Sequence, residues 1–356
     1  MFLKYSRKSC IPNLVQTKTE TSLLSTFFTS PLPAFVLFFV LTSLRLNGQE
    51  LQQRFLELER RSGGELGVYA LHVEKGLVAS RNESRFFPMA SVYKLPIGIF
   101  MLNQVFEKRI DLSAKTKVTR ANLAPEYSPL TRRWYRDGDF EITWSELLRQ
   151  MVSESDNTAC DMILGKVGGP ARVTRYFSQI GINGFSVSRD EKQMALDQMH
   201  TVKEYRQYDG IAVDSVFDLM ERSQLDRIVR NALATRKDVA SPWGIAELLL
   251  RLHRRTLPAF VDYPIMQQLL TDTRTGMNRI KAGVPANAVV AHKTGTQRTF
   301  GGVNIATNDA GIITLENGEH IILVVMLKGS TLDSEGRDQL IADVTRAVVN
   351  AWVHAE

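Results

Sequence analysis

The feature that most constrains this chain is where its strand-like segments fall. Residues 65–82, ELGVYALHVEKGLVASRN, read as two strands around an EKG turn, and strand patterns return only from about 289, in AVVAHKTGT and GVNIATNDAGIITLENGEHIILVVMLK. Between about 90 and 255 the periodicity is mostly helical. One helix, ELQQRFLELERRSGG at 50–64, precedes the first strands and is stopped by its glycines, and an amphipathic helix at 334–355 ends the chain. A sheet fed from both ends with helices between implies an α/β fold: a split antiparallel-sheet α/β domain, residues 49–85 and 257–356, plus an inserted all-α domain, residues 86–256. A chain of 356 residues, 44% hydrophobic, can bury the core this requires. Sites favour the seam between two such lobes.

The first 48 residues differ from the rest. Lys4, Arg7, Lys8 and Lys18 precede the apolar block AFVLFFVL at 34–41. A basic start, a short apolar core and a small residue near its end make a secretory signal peptide over residues 1–48, cut near Gly48. The apolar run is far short of the ~20 residues a spanning helix needs, so no stable membrane span is expected after processing. The protein is then exported, periplasmic or secreted. Its 44 basic and 38 acidic residues become 39 and 37 once Lys4, Arg7, Lys8, Lys18, Arg45 and Glu20 are removed, so the formal charge falls from +6 to +2. That near-neutral balance argues against a nucleic-acid partner, which usually meets a dense basic face. Only Cys160 survives processing, so no internal disulfide is expected. No zinc-type CxxC pair or phosphate-binding loop is visible, the histidines His72, His200, His253, His292 and His320 have no metal-like spacing, and neither a metal nor a cofactor is expected.

PMASVYKLPI at 88–97 puts Ser91 and Lys94 three positions apart, on one face of a helix. A possible nucleophile thus sits beside a possible base. By itself the pair also fits a helix-capping serine and a lysine reaching solvent. Two further patches fall where the seam should be: SDN, Ser155 to Asn157, and KTG, Lys293 to Gly295. SxxK, SDN and KTG in that order are the motif set of class A β-lactamases and penicillin-binding proteins.

Further residues make the chain resemble the class A serine β-lactamases over essentially all of residues 50–356. EYSPLT at 126–131 resembles the loop carrying an aromatic gatekeeper, here Tyr127. VGGPARVTRYFSQIG at 167–181 resembles the helix after SDN, and ATNDAGI at 306–312 a strand after KTG. SRDEKQM at 188–194 falls where the family has its RxE, placing Arg189 and Glu191. The resemblance implies a β-lactamase/D,D-peptidase-like fold and hydrolysis of a small-molecule β-lactam through a serine acyl-enzyme. Monomer is the family's habit and is expected here.

It also implies roles. Ser91 is the nucleophile, and its backbone N–H, with that of Thr296, forms the oxyanion hole. Lys94 serves as base if neutral, and burial together with Lys293 is expected to lower its pKa. Whether Lys94 or Glu191 acting through water takes the first proton stays open. Ser155 relays a proton to the leaving nitrogen. Asn157 holds the substrate amide, and Lys293, Thr294 and Thr296 receive its carboxylate. Gly295 leaves room for approach to the strand. Glu191 activates the deacylating water. Arg298 is read as a solvated loop arginine in preference to a second carboxylate-binding cation. His292 is expected to point away from the cleft.

Two departures from the family stand out. Ala195 occupies the position of the family's asparagine four residues after the glutamate, which puts the deacylation rate in question. Arg189 and Asp238 are expected to pair across the neck of the glutamate-bearing loop, yet they lie 49 positions apart, much more than usual. The extra sequence, including 214–236, reads as one or two helices. It is expected either to pack beside the cleft entrance and limit which substrates enter or to decorate the surface. Two other readings remain open on sequence alone: a penicillin-binding D,D-peptidase, against which Glu191 speaks, and a β-lactam-binding sensor with slow turnover.

Overall fold

The computed structural model describes residues 34–200, 213–258 and 262–353, with side chains from residue 48 onward. The chain divides into two units between Leu44 and Arg45, and of the first only residues 34–44 are described. Residues 1–33 of the expected leader lie outside the described part, and a helix is assigned over Ala34–Ser62. Among the described residues no helix is long and apolar enough to cross a membrane.

The larger unit is built on one antiparallel sheet. Its strands run, in spatial order, Leu77–Arg81, Glu65–His72, His320–Ser330, Val303–Thr314 and Val289–Thr296, with the short Thr299–Phe300 strand also paired to Val303–Thr314. The two N-terminal strands therefore insert beside the C-terminal ones, as the split pattern in the sequence implies. Strand alternation sorts the buried residues. From His320–Ser330, Ile321, Leu323, Val325 and Leu327 face a core shared with Phe55 and Leu58 of the first helix and Leu340, Val344 and Val348 of the Ser334–Val353 helix. Ile322, Val324 and Met326 point the other way, into the larger core of the helical lobe. A sheet buried on both faces explains why this strand reads as a continuous apolar run.

Local signals set the helices that carry the motifs. Asp156 caps the Asn157–Val167 helix by accepting from Ala159 N–H, and Gly168 ends it in the left-handed conformation at φ 93°. Gly169 and Pro170 then open the Pro170–Gln179 helix, with proline in its first turn. Two small antiparallel pairs interrupt the stretch that reads as helical: Lys115–Val118 with Phe140–Thr143, and Phe87–Pro88 with Val239–Ala240. Two- and four-residue strands are too short to show a period of two.

The long loop between Arg189 and Asp238 contains the Val213–Asp218 and Arg222–Ala234 helices, as the sequence suggests. They form a third core. Val216, Phe217, Met220, Ile228 and Val229 pack with Ala195 and Met199 of the Glu191–Met199 helix and with Phe300, Ile305 and Ala306 of the sheet. The insertion is thus integral to the fold around the seam and not a surface appendage.

Candidate active site

Ser91 lies in a 3-10 turn, Ala90–Tyr93, which runs into the buried helix Lys94–Phe106. Lys94 is fully buried, and its Nζ donates to Ser91 Oγ at 3.2 Å, to the Ser155 carbonyl at 2.7 Å and to Asn157 Oδ1 at 2.5 Å. A fourth oxygen, Glu191 Oε1, lies 3.0 Å away. That contact is a close ion pair, and among the described residues Oε1 has no well-aligned hydrogen bond. Four oxygens surround a group with three protons. Burial lowers the Lys94 pKa, but Glu191 and the further contributions of Cys160 and Asp156 outweigh it, and the net direction is up.

This corrects the expectation that burial and Lys293 lower the Lys94 pKa. The sequence shows neither that Glu191 reaches Lys94 nor that burial brings a counter-charge with it. Lys293, also fully buried, is the lysine pushed well below its ordinary value, first by burial and then by Lys94. Its Nζ donates to Ser155 Oγ and to the Thr294 carbonyl, both at 2.9 Å.

The Val289–Thr296 strand forms the sheet edge facing this cluster. Gln297 N–H bonds inward to the Ala306 carbonyl, so strand alternation turns the Thr296 N–H toward the open edge. Gly295 has a sharper reason to be glycine than room for a ligand. A Cβ there would lie 2.6 Å from the Met89 carbonyl and 2.9 Å from Ser91 N. The strand is therefore pressed directly against the backbone that carries Ser91. Buried Asn308 fastens the same joint, donating to the Pro88 and Met89 carbonyls at 2.8 and 2.9 Å.

Asp156 of SDN is a scaffold: it accepts from Ser128 Oγ and from Leu130 N–H at 2.8 Å, tying down the loop that presents Tyr127. Asn157 Nδ2 donates to the Pro125 carbonyl at 3.0 Å. Tyr127 is exposed at the cleft mouth. Ala90, Glu126 and Ser155 adopt positive φ angles of 47°, 65° and 62°, and all three line the cleft. Backbone strain of ~1–3 kcal/mol per residue persists only where the surroundings enforce it.

Glu191 opens the Glu191–Met199 helix, capped by Asp190, whose side chain accepts from Gln193 N–H. Asp161, projecting from the SDN helix, accepts the backbone N–H groups of Glu191 at 2.7 Å and Lys192 at 3.1 Å. Burial, then the carboxylates of Glu191 and Asp190, push Asp161 well above the usual carboxylate range. At the neck, Arg189 Nε donates to Asp238 Oδ2 at 2.7 Å although the two lie 49 positions apart, and Arg189 also pairs with Asp197. His292 is buried on the far face of its strand, with Nδ1 2.9 Å from Asp309.

The cleft that these elements enclose has a volume of ≈ 280 Å³ and gathers Ser91, Ser155, Asn157, Glu191, Thr294 and Thr296. Lys94 and Lys293 stand buried behind Ser91 and Ser155. Sequence reasoning missed three contributors besides Asp161. Arg279 lines the cleft and donates to Thr296 Oγ1 at 2.7 Å, held from behind by Asp338 at 2.7 Å. Gln198 lies on the Glu191 face of its helix, and among the described residues its Oε1 has no hydrogen-bond partner. Glu126 meets Arg298 at 3.2 Å across the mouth, and the Arg298 guanidinium stands 5.1 Å from the Phe217 ring of the insertion. Arg298 is therefore not a solvated loop arginine. None of these depends on a short sequence pattern, and only the glutamine's i+7 spacing from Glu191 offered a signal.

Comparison with known proteins agrees with this geometry. A family model described as the β-lactamase enzyme family matches residues 50–352. The extended-spectrum β-lactamase PER-1 of Pseudomonas aeruginosa is 31% identical over 73% of both chains. A β-lactamase of Bacteroides uniformis is 29% identical over 85% of this chain and 91% of its own. Among solved structures, a β-lactamase from Chitinophaga pinensis superposes with a TM-score of 0.69 at 27% identity, covering 86% of this chain and all of that one. The TLA-1 extended-spectrum enzyme gives 0.70 at 27%, covering 86% and 99%. With its motifs assembled in one cleft and these likenesses spanning most of its length, the chain belongs to the β-lactamase enzyme family, among the class A serine enzymes.

Proposed function

We propose that the protein hydrolyses β-lactam antibiotics through an acyl-enzyme on Ser91, and so confers resistance. The observation that carries this reading is Lys94 Nζ standing between Ser91 Oγ at 3.2 Å and Glu191 Oε1 at 3.0 Å. A charged Lys94 cannot accept a proton. It passes one to Glu191 and, now neutral, takes the proton of Ser91 as Oγ attacks the lactam carbonyl. The oxyanion is received by the N–H groups of Ser91 and Thr296, each such donor being worth ~10²–10³ in rate.

Ser155 gives its hydroxyl proton to the leaving nitrogen, and Lys293 at 2.9 Å restores it. The substrate carboxylate is met by Thr294, Thr296 and Lys293, with Arg279 behind Thr296 as a further cation. Once Glu191 has released the proton it took from Lys94, and Lys293 has regained the one it gave, the Glu191 carboxylate draws a proton from the water that attacks the ester, and Lys94 supplies the proton that Ser91 Oγ takes on leaving. A D,D-peptidase has no need of a carboxylate placed there. With Ala195 apolar and buried, that water rests on Glu191 and Asn157.

We further propose export after loss of residues 1–48, action as a monomer, and a division into an α/β domain of residues 49–85 and 257–356 and a helical domain of residues 86–256. The test is steady-state hydrolysis of a penicillin and a cephalosporin by the wild-type protein and Ser91→Ala. Turnover by the first and none by the second is expected. No hydrolysis of either drug by the wild-type protein would overturn the reading.

A further inference from the structure

At the end of the sheet away from the cleft, the turn after the first strand, the last residue of the Pro242–His253 helix and the first residue of the His320–Ser330 strand bring Glu74, His253 and His320 together. In register, His320 lies opposite Thr314 and Thr314 opposite Val289, seven residues or roughly 24 Å from Thr296. None of the three lines the cleft. One ligand-type atom from each lies within 4.8 Å of the others. We propose that Glu74, His253 and His320 bind a first-row divalent cation, Zn²⁺ being the best match to two imidazoles and one carboxylate.

The geometry is close to what such an ion requires. Zinc bonds of about 2.0–2.2 Å in tetrahedral arrangement place ligand atoms about 3.4 Å apart. His320 Nδ1 and Glu74 Oε1 already face each other at 2.8 Å, sharing a proton, while Glu74 Oε2 is fixed by the His320 backbone N–H at 2.8 Å. A cation takes the place of that shared proton, which the imidazole carries on Nε2 instead. His253 closes the third side, its ring centroid 4.3 Å from that of His320 and tilted by 50°. Glu74 and His320 are 39% and 24% exposed in their side chains, so small rotations bring the set to bonding distance without disturbing the core.

Two features of the surroundings favour a cation. His253 sits at the negative end of its helix. Lys75, the nearest ammonium on the Glu74 turn, is engaged by Glu319 at 3.2 Å. Three protein ligands leave one position for water. The ion would clip the end of the helix to the sheet, a structural role separate from the serine chemistry.

Isothermal titration with Zn²⁺ and visible absorption with Co²⁺, on the wild-type protein and on His253→Ala, His320→Ala and Glu74→Gln, test this. One equivalent bound, Co²⁺ bands of tetrahedral intensity, an unfolding temperature rising with the logarithm of free zinc, and affinity lowered at least ~10-fold in each variant are expected. His253→Gln, which keeps the side-chain volume, guards against loss of folding. Absence of binding at millimolar zinc, or affinity unchanged in the histidine variants, would overturn the proposal.

Discussion

Lys94 and Lys293 are both fully buried within reach of Ser155, yet their pKa values move in opposite directions. Burial acts on both in the same sense. Lys94 has a carboxylate 3.0 Å away, whereas Lys293 has a hydroxyl and a carbonyl and feels Lys94 as a repelling charge. One carboxylate therefore sets a pair of buried lysines apart, favouring the ammonium of Lys94 while that of Lys293 is disfavoured. The Ser91 and Ser155 hydroxyls face different proton economies for the same reason.

Replacing Lys94 by alanine breaks that division most severely. Acylation is expected to fall by ~10²–10⁴, read as loss of the pre-steady-state burst with a chromogenic cephalosporin. Lys293→Ala should act mainly on binding. A charged hydrogen bond of ~1.5–3 kcal/mol corresponds to a KM raised roughly 10- to 150-fold, with a smaller change in kcat. Equal losses in both parameters would show that Lys293 works in the transition state instead.

Stability against pH separates the lysines without any substrate. Lys94, with its pKa raised, stabilises the fold fully below its ordinary value of 10.5 and loses that contribution as pH rises through the higher folded value. Lys293 does the reverse. From its depressed folded value up to 10.5 the unfolded chain holds a proton that the folded one lacks, so stability rises with pH across that window. Urea unfolding of Lys293→Met should flatten the rise, and that of Lys94→Met should remove the fall at high pH.

The smallest effect belongs to the mouth. Glu126→Gln removes one partner of Arg298, and a partly exposed pair worth ~0.2–1 kcal/mol should change KM for anionic substrates by at most about five-fold. Deleting the insertion helices should widen the substrate profile and destabilise the protein, because Phe217 packs on Phe300 at 5.0 Å. An unchanged profile and stability would return them to surface decoration.

Ser91, Lys94, SDN and KTG are legible in sequence because helix and strand spacing alone brings each set of functional groups together. The split sheet is legible for a similar reason, since period-two patterns appear at both ends of the chain. Asp161 under the glutamate helix, Arg279 behind Thr296 and the Glu126–Arg298 pair join positions 17 to 172 residues apart, outside any helix or strand spacing rule, so only the folded chain reveals them. The direction of the Lys94 pKa belongs with these. It is set by Glu191, 97 positions away in the chain, and burial alone points the wrong way.

Intact-mass time courses of the wild-type protein, Ser91→Ala and Glu191→Gln mixed with a penicillin test the account most directly. A transient adduct in the wild type, none in Ser91→Ala and a persistent one in Glu191→Gln is the expected result. Clearance of the adduct at the wild-type rate in Glu191→Gln would contradict it.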